Sequence, residues 1–128
     1  MTIERPPIVG RYELVQDFDS PEASVRVFRV SAGGNEVETH VHRHSTQFYV
    51  ALEGKAVIVR DGVETVLEPY QVLRVAKGTL HGARAAGAEA LLLNISVPPL
   101  RVDDQVAIVP EESPSDLELP SEGSDLED

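Results

Sequence analysis

The residues best suited to chemistry in this chain of 128 residues are its four histidines, which all lie between positions 40 and 81. His40, His42 and His44 alternate in the segment THVHRH, and His81 follows much later. Alternate residues of a β-strand point to one face, so His40 and His42 would converge on one side of a strand. Imidazole nitrogens bind a transition-metal ion at about 2.0–2.1 Å. The spacing indicates a metal site, and the simpler alternative is a set of packed or surface histidines.

The segments around the histidines are short apolar runs separated by turn residues, which is typical of β-strands. The strongest hairpin signal is Asp61-Gly62, which lies between the apolar segments VIV and VETVL. The core shows no helical periodicity over ten or more residues. We therefore predict an all-β fold, an antiparallel sandwich or barrel. The predicted strands are Arg11–Gln16, Val25–Ala32, Val37–His42, Gln47–Leu52, Ala56–Arg60, Val63–Leu67, Val72–Val75 and Leu91–Val97.

The charge pattern argues against two classes of partner. The chain has 11 basic and 22 acidic residues, and eight of the acids lie in residues 111–128, which contain no base. Residues 1–110 therefore carry a net charge of only −3, without a visible basic face. Nucleic acids and anionic membranes both require such a face, so we expect neither as a partner. The longest apolar runs, of four to five residues, are far shorter than the roughly 18 of a membrane helix.

Composition also divides the chain. We predict one β-barrel domain with an N-terminal arm over residues 1–109, and an acidic, disordered tail over residues 110–128. The tail is rich in acids, serine and proline, and it has too few apolar residues to offset the entropy of ordering it. An acidic interaction tail anchored by its leucines is the alternative.

The chain has no cysteine, which excludes disulfides and thiolate sites. This composition suits a reducing cytoplasm, where we expect the protein.

The histidine segment belongs to a longer pattern that resembles a known family. Gly34-x5-His40-x-His42-x4-Gln47-x6-Gly54 is similar to the first signature of the cupins, G-x5-H-x-H-x3,4-E-x6-G. Every spacing of that signature is met, and the one departure is Gln47, which stands where the family commonly has glutamate. The chain is identified by this resemblance as a small, single-domain member of the cupin superfamily.

The second cupin signature, G-x5-P-x-G-x2-H-x3-N, is only partly present. Gly78 and His81 match it within VLRVAKGTLHGARA, residues 72–85. Tyr70, Ala76 and Ala85 replace the first glycine, the proline and the asparagine. The resemblance spans roughly residues 25–97, most of the predicted β core.

The resemblance implies a jelly roll, or double-stranded β-helix, that holds one divalent transition-metal ion (Fe, Mn, Ni or Zn) in the mouth of the barrel. Carried over by position, the ligands would be His40, His42, Gln47 and His81. A neutral amide in place of glutamate would leave the site a charge of +2 instead of +1. Such an ion should be a stronger Lewis acid but should be held less tightly. Alternatively, Gln47 hydrogen-bonds a substrate without touching the metal.

Strand alternation extends this interpretation to the pocket. Tyr49 would share the ligand face with Gln47, and Ala83 and Ala85 would face inward and leave room for a ligand. His44 could be a proton donor beside the ligands, an alternate ligand or only a loop residue. Three strand arginines could balance a carboxylate substrate, although such arginines more often face solvent: Arg29, Arg74 and Arg84.

The function that this resemblance implies is a metal-dependent enzyme acting on a small organic molecule. Dioxygenase-type chemistry is the leading version, and isomerase or decarboxylase chemistry also occurs among cupins. The alternative is a binding or sensing module that holds a metal and a small ligand without turnover. We also expect a homodimer, because small barrels expose apolar strand faces such as Phe48, Val50 and Leu52.

Overall fold

The computed structural model describes residues 10–101 and 104–107, and for residues 105–107 it describes the backbone only. The first nine residues and the predicted acidic tail lie outside the described residues. Over the described ranges the chain forms strands and turns, with no helix that is long and apolar enough to cross a membrane. The predicted all-β, antiparallel fold is confirmed.

The described residues form ten strands: β1 Glu13–Asp19, β2 Ser24–Ser31, β3 Val37–His42, β4 Thr46–Glu53, β5 Ala56–Arg60, β6 Val63–Leu67, β7 Val72–Val75, β8 His81–Ala85, β9 Glu89–Val97 and β10 Gln105–Ala107. These strands make two five-stranded sheets, whose strand orders are β1-β2-β9-β4-β7 and β10-β3-β8-β5-β6. The hydrophobic core lies between these sheets and draws on both of them, for example on Phe28 and Leu92 from one and Ile58 from the other.

Two of these strands were not predicted. β8 has the sequence HGARA, and glycine and alanine have little intrinsic preference for strands. β10 is only three residues long and exists as a strand because it pairs with β3, from His40 to His42. Both strands border the histidines, so tertiary pairing, not local sequence, forms this side of the barrel.

Backbone conformation explains two features of the motifs. Asp61 and Gly62 have φ angles of 50° and 84°, as the predicted two-residue hairpin turn between β5 and β6 requires. Tyr70, which occupies the glycine position of the second cupin signature, also has a positive φ, of 71°. Tyr70 therefore adopts the left-handed backbone conformation that favours glycine, and this conformation costs a residue with a side chain about 1–2 kcal/mol.

The inner face of the first sheet changes from apolar to polar along its strands. Three successive rows of buried side chains cross β2, β9 and β4: Phe28–Leu92–Ala51, Arg26–Asn94–Tyr49 and Ser24–Ser96–Gln47. Polar groups inside a barrel are costly unless they are hydrogen-bonded. The two polar rows therefore mark the end of the barrel where a functional site is expected.

Candidate metal centre

Three of the four histidines meet at this polar end of the barrel. His40 and His42 lie at the end of β3, and His81 begins β8, where it pairs directly with His40. Their ring centroids are 4.4 to 5.5 Å apart, and each side chain is at most 3% exposed. Each ring offers one ligand atom, and these atoms all lie within 4.8 Å of one another.

The Nδ1 atom of each ring is held by a hydrogen-bond acceptor. His40 Nδ1 donates to the Glu38 carbonyl at 2.7 Å, and His81 Nδ1 donates to the Thr79 carbonyl at 2.9 Å. His42 Nδ1 donates to a carboxylate oxygen of Asp104 at 2.7 Å. Carbonyl oxygens and an ionised carboxylate can only accept, so each ring in its neutral form has its proton on Nδ1 and its Nε2 lone pair toward the interior. This is the tautomer that a metal-binding histidine with an outer hydrogen bond requires.

Burial keeps two of these rings uncharged. Desolvation, together with a smaller contribution from the neighbouring His42, lowers the pKa of His81 to about 4. Desolvation, followed by repulsion from His81 and His42, lowers the pKa of His40 well below 6.5. Metal ligation requires the neutral ring, so His40 and His81 are ready to bind at neutral pH without first losing a proton.

Gln47 directs its side-chain oxygen toward the same point. The amide nitrogen of Gln47 donates to Asn94 Oδ1 at 3.0 Å and to Ser96 Oγ at 2.8 Å. With the amide nitrogen engaged in this way, Gln47 Oε1 lies 2.9 Å from His81 Nε2. Gln47 itself is only 4% exposed, so its orientation is fixed by the row of polar residues on β9.

The donor set fits a cation. In this tautomer, two pairs of acceptor atoms face each other at hydrogen-bond distance: His40 Nε2 with His42 Nε2 at 3.0 Å, and His81 Nε2 with Gln47 Oε1 at 2.9 Å. Such contacts are repulsive unless a positive charge is shared between them. Donors bound to one ion at about 2.0–2.1 Å, at angles of about 90–110°, lie about 2.8–3.4 Å apart as neighbours, which matches both contacts. Three imidazoles and one amide oxygen therefore suit a divalent transition metal.

Asp104 belongs to the candidate site but was not predicted from the sequence. It is 0% exposed, and besides His42 its carboxylate accepts hydrogen bonds from the backbone N–H groups of His44 and Ser45. Burial acts to raise the pKa of this carboxyl, but the hydrogen bonds from His42 and from those backbone groups lower it below its usual value. Asp104 is thus an anion that contacts Nδ1 of the His42 ring, while Nε2 of the same ring is the candidate ligand atom. With a divalent ion bound, the Asp104 carboxylate would supply, through His42, the negative charge that Gln47 lacks. The expected charge of the site would then fall from +2 toward +1.

Little in the sequence could have identified this residue. Asp104 is 62 positions from His42, and it precedes a strand of three residues. The apolar letters that follow it, VAIV, were the available signal for a further strand. Only the pairing of that strand with β3 brings the carboxylate to His42.

The other predicted pocket residues are dispersed. His44 is exposed and follows the end of β3, as expected, and its backbone but not its ring is bonded to Asp104. Tyr49 is 2% exposed and makes an edge-to-face contact with His81, and burial raises the pKa of its phenol. Ala83 is buried in the core, and Ala85 is partly buried against it.

The three arginines considered as counter-charges do not reach the site. Arg29 forms ion pairs with Glu13 and Glu89, and Arg84 forms one with Glu64. The side chain of Arg74 is exposed. The arginine that does face the interior is Arg26, on the same strand as Arg29 but on its opposite face.

A small cavity lies beside the histidines. Its open volume is about 20 Å³, which is room for about one water-sized group. It is lined by Tyr12, Arg26, Phe28, Val37, His40, His42, Gln47, Tyr49, Asn94 and Leu100. The cavity is therefore polar on the side of the histidines and of Arg26, and apolar on the side of the core.

Comparison with known proteins agrees with this geometry. Residues 26–98, more than half of the chain, match the family model of the cupin domain. This chain is a cupin. The sequence of this cupin has no significant match among the curated proteins.

Solved structures with the same fold include TT1209 from Thermus thermophilus, which is 28% identical at a TM-score of 0.61 and covers 75% of this cupin and 90% of that chain. An RmlC-like cupin from Desulfovibrio desulfuricans is 29% identical at a TM-score of 0.60, over 72% of this cupin and 85% of that chain. Pac13, described as a nucleoside dehydratase, has a TM-score of 0.61 at 14% identity, over 81% and 92% of the two chains. At that identity the likeness shows the fold alone.

Proposed function

We propose that this cupin is a metal-dependent enzyme that acts on a small organic molecule, with dioxygenase-type chemistry as the reaction class. One divalent transition-metal ion (Fe, Mn, Ni or Zn) would be held by His40, His42, Gln47 and His81. The observation that carries the proposal is the set of four buried candidate ligand atoms, three imidazole Nε2 atoms and Gln47 Oε1, which meet in two pairs at 3.0 and 2.9 Å. Their burial also supports it, because four buried acceptors in contact are costly without a cation.

Other residues of the chain would orient the ligands of that ion and exclude water from it. When bound, the ion would act as a Lewis acid toward a substrate oxygen and, if it is iron or manganese, as a site for oxygen chemistry. Asp104 and the Glu38 and Thr79 carbonyls hold the three rings in the ligating tautomer. The apolar core behind Tyr49 keeps bulk water away from the inner side of the site. Four protein ligands leave one or two positions for substrate on a five- or six-coordinate ion.

Metal analysis followed by an oxygen assay tests this proposal. Protein purified without an affinity tag should contain about one equivalent of a divalent metal, measured by elemental analysis. Oxygen consumption should then be seen with a member of a panel of phenols, thiols and diketones, and chelation should abolish it. Retention of metal with tight small-ligand binding but no turnover on any substrate would instead support the binding-module alternative. A protein that binds no divalent metal at micromolar concentration would contradict both.

Gln47 provides a sharper prediction within the same site. Gln47→Glu adds a carboxylate toward the ion, so metal retention should rise about tenfold or more through Coulomb attraction. Azide, an anionic probe, should bind the glutamate variant more weakly, because the ion is then less positive. Gln47→Ala should weaken metal binding and change the spectrum of a bound cobalt ion. An alanine variant with unchanged affinity and an unchanged spectrum would leave a site of three histidines only.

We also propose that this cupin is a homodimer. The outer face of the first sheet carries an apolar row across four strands, Val27, Leu93, Val50 and Val72, next to a second row of Val25, Ile95 and Phe48. Contiguous apolar surface of this kind is usually covered by a partner, and a two-fold axis would cover it on both copies.

Light scattering should therefore give twice the 13.9 kDa mass of the chain. Val72→Lys should convert the dimer to a monomer by placing a charge within the apolar face. Val63→Lys is a matched control, because Val63 is also 64% exposed but lies on the other sheet. A wild-type monomer at micromolar concentration would refute the dimer.

A small molecule is the partner class that we propose for this cupin, with no role for nucleic acid or a membrane. The near-balanced charge of residues 1–110 supports this, since phosphate binding needs a basic face. We propose a cytoplasmic location, with which a chain without cysteine is compatible. Cell fractionation would test the location.

A further inference from the structure

Two buried donors in the described part of the chain have no hydrogen-bond partner: Arg26 Nε and Asn94 Nδ2. Arg26 on β2 and Asn94 on β9 are directly opposite each other in the sheet, and their residues are only 7% and 5% exposed. Both residues line the cavity that is also lined by His40, His42 and Gln47. The two unpaired donors thus lie in one place, beside the candidate metal ligands.

The fold alone does not account for these donors. Arg26 Nη1 donates to the Tyr12 hydroxyl at 3.0 Å, and Arg26 Nε lies 3.6 Å from Asp17 Oδ1, which is an ion pair but too long for a hydrogen bond. Asn94 uses its oxygen to hold Gln47, and its amide hydrogens remain. Buried donors are nearly always satisfied in folded proteins, so an exception requires an explanation such as a catalytic role or a bound group. An arginine in the interior of a barrel is a further exception, since aliphatic residues would fill the same space at lower cost.

We infer that Arg26 and Asn94 form a subsite for the carboxylate group of a small organic acid. Arginine and a side-chain amide are together well suited to a carboxylate, which accepts several hydrogen bonds in one plane. The inference rests on the proposed function and specifies its substrate class. It replaces the arginines named from sequence, Arg29, Arg74 and Arg84, with the one arginine of the described strands that faces the cavity.

The charges around the cavity agree with an anionic ligand. A divalent ion and the Arg26 guanidinium would contribute three positive charges, and Asp17 and Asp104 contribute two negative ones. One monocarboxylate would balance the remainder, which favours a neutral complex in a region of low dielectric constant.

Calorimetric titration of glycolate and of its uncharged analogue glycolamide tests the inference. The two probes have nearly the same size and differ in one group, which is an anionic carboxylate in glycolate and a neutral amide in glycolamide. The titrations are made with zinc-loaded and metal-free forms of the wild-type protein, Arg26→Gln, Asn94→Asp and the control Arg29→Gln. Arg29 is on the same strand as Arg26 but faces outward, so its variant removes the same charge without changing the cavity.

The wild-type protein should bind glycolate at least about tenfold more tightly than glycolamide. Arg26→Gln and Asn94→Asp should each lower glycolate affinity about tenfold or more, as loss of a charge-assisted hydrogen bond does, and Arg29→Gln should not. Asn94→Asp is the informative second variant if Arg26→Gln does not fold, because aspartate can still accept from Gln47 while it repels an anion. Equal affinity for the two probes, no binding of glycolate, or wild-type affinity in a folded Asn94→Asp variant would overturn the inference.

The two proposals fail in different ways. If zinc does not bind but the metal-free protein still prefers glycolate in an Arg26-dependent manner, the proposed metal enzyme is wrong and the carboxylate subsite stands. If zinc binds at the histidines but glycolate affinity is independent of Arg26 and Asn94, the subsite is wrong and the metal centre stands.

Discussion

Replacing His81 by alanine should lower the affinity for a divalent metal by at least about tenfold, and His40→Ala and His42→Ala should do the same. Each substitution removes one of the lone pairs that converge in the buried site, and loss of a direct ligand should cost no less than loss of a residue behind the ligands, which typically lowers metal affinity about 10–100-fold. Zinc competition against a chromogenic chelator measures the affinity. The zinc-dependent rise in melting temperature should fall with it, because stabilisation by a ligand follows its affinity.

His44→Ala is the matched control for these variants. His44 belongs to the same histidine segment, but its side chain is exposed and its ring is not part of the cluster. Its removal should leave zinc affinity within about twofold of wild type, a difference of less than about 0.5 kcal/mol. Three cluster variants that bind zinc as the His44 variant does would rule out the metal centre.

Asp104→Asn should weaken metal binding by about 10–100-fold although Asp104 is not a ligand. The change removes the charge that stabilises His42 and turns one acceptor oxygen into a donor. His42 Nδ1–H can turn to the remaining oxygen only if the backbone N–H groups of His44 and Ser45 lose their acceptor. Each buried donor left without a partner costs about 1–3 kcal/mol, so the free energy of unfolding should fall in the metal-free protein as well.

Zinc competition and chemical denaturation of the metal-free form measure these two effects separately. Glu38→Gln serves as the control, because it also removes one negative charge near the site but from an exposed side chain. Metal affinity of Asp104→Asn equal to that of Glu38→Gln would show that the carboxylate does not act on the centre through His42.

The parts of the site that could be predicted are those encoded over short distances. His40 and His42 are two residues apart on one strand, so alternation alone places them on one face, and Gln47 and Tyr49 follow the same rule on the next strand. β3, β5, β6 and β7 have the predicted bounds for the same reason. Asp104 could not be placed in this way, because its position depends on strand pairing across 62 residues.

Arg26 was not predicted to face the site, for a different reason. β2 carries apolar residues on both faces, with Phe28 and Val30 inside and Val25 and Val27 outside. Alternation can assign a strand's inner face only when the other face is polar. The ambiguity has a physical meaning in this protein, since the apolar outer residues lie on the surface that we assign to the dimer.

The pairing of β10 with β3 also determines when the centre can form during synthesis. His40, His42 and Gln47 leave the ribosome well before Asp104, and the segment that precedes Asp104 is anchored by the Leu100 N–H bond to Ser24, a contact across 76 residues. Contacts between residues so far apart in sequence form slowly and late. A nascent chain that ends before residue 104 would contain all three imidazoles but not the carboxylate that orients His42. Metal capture by the complete centre should therefore belong to a late stage of folding, after β10 has paired with β3.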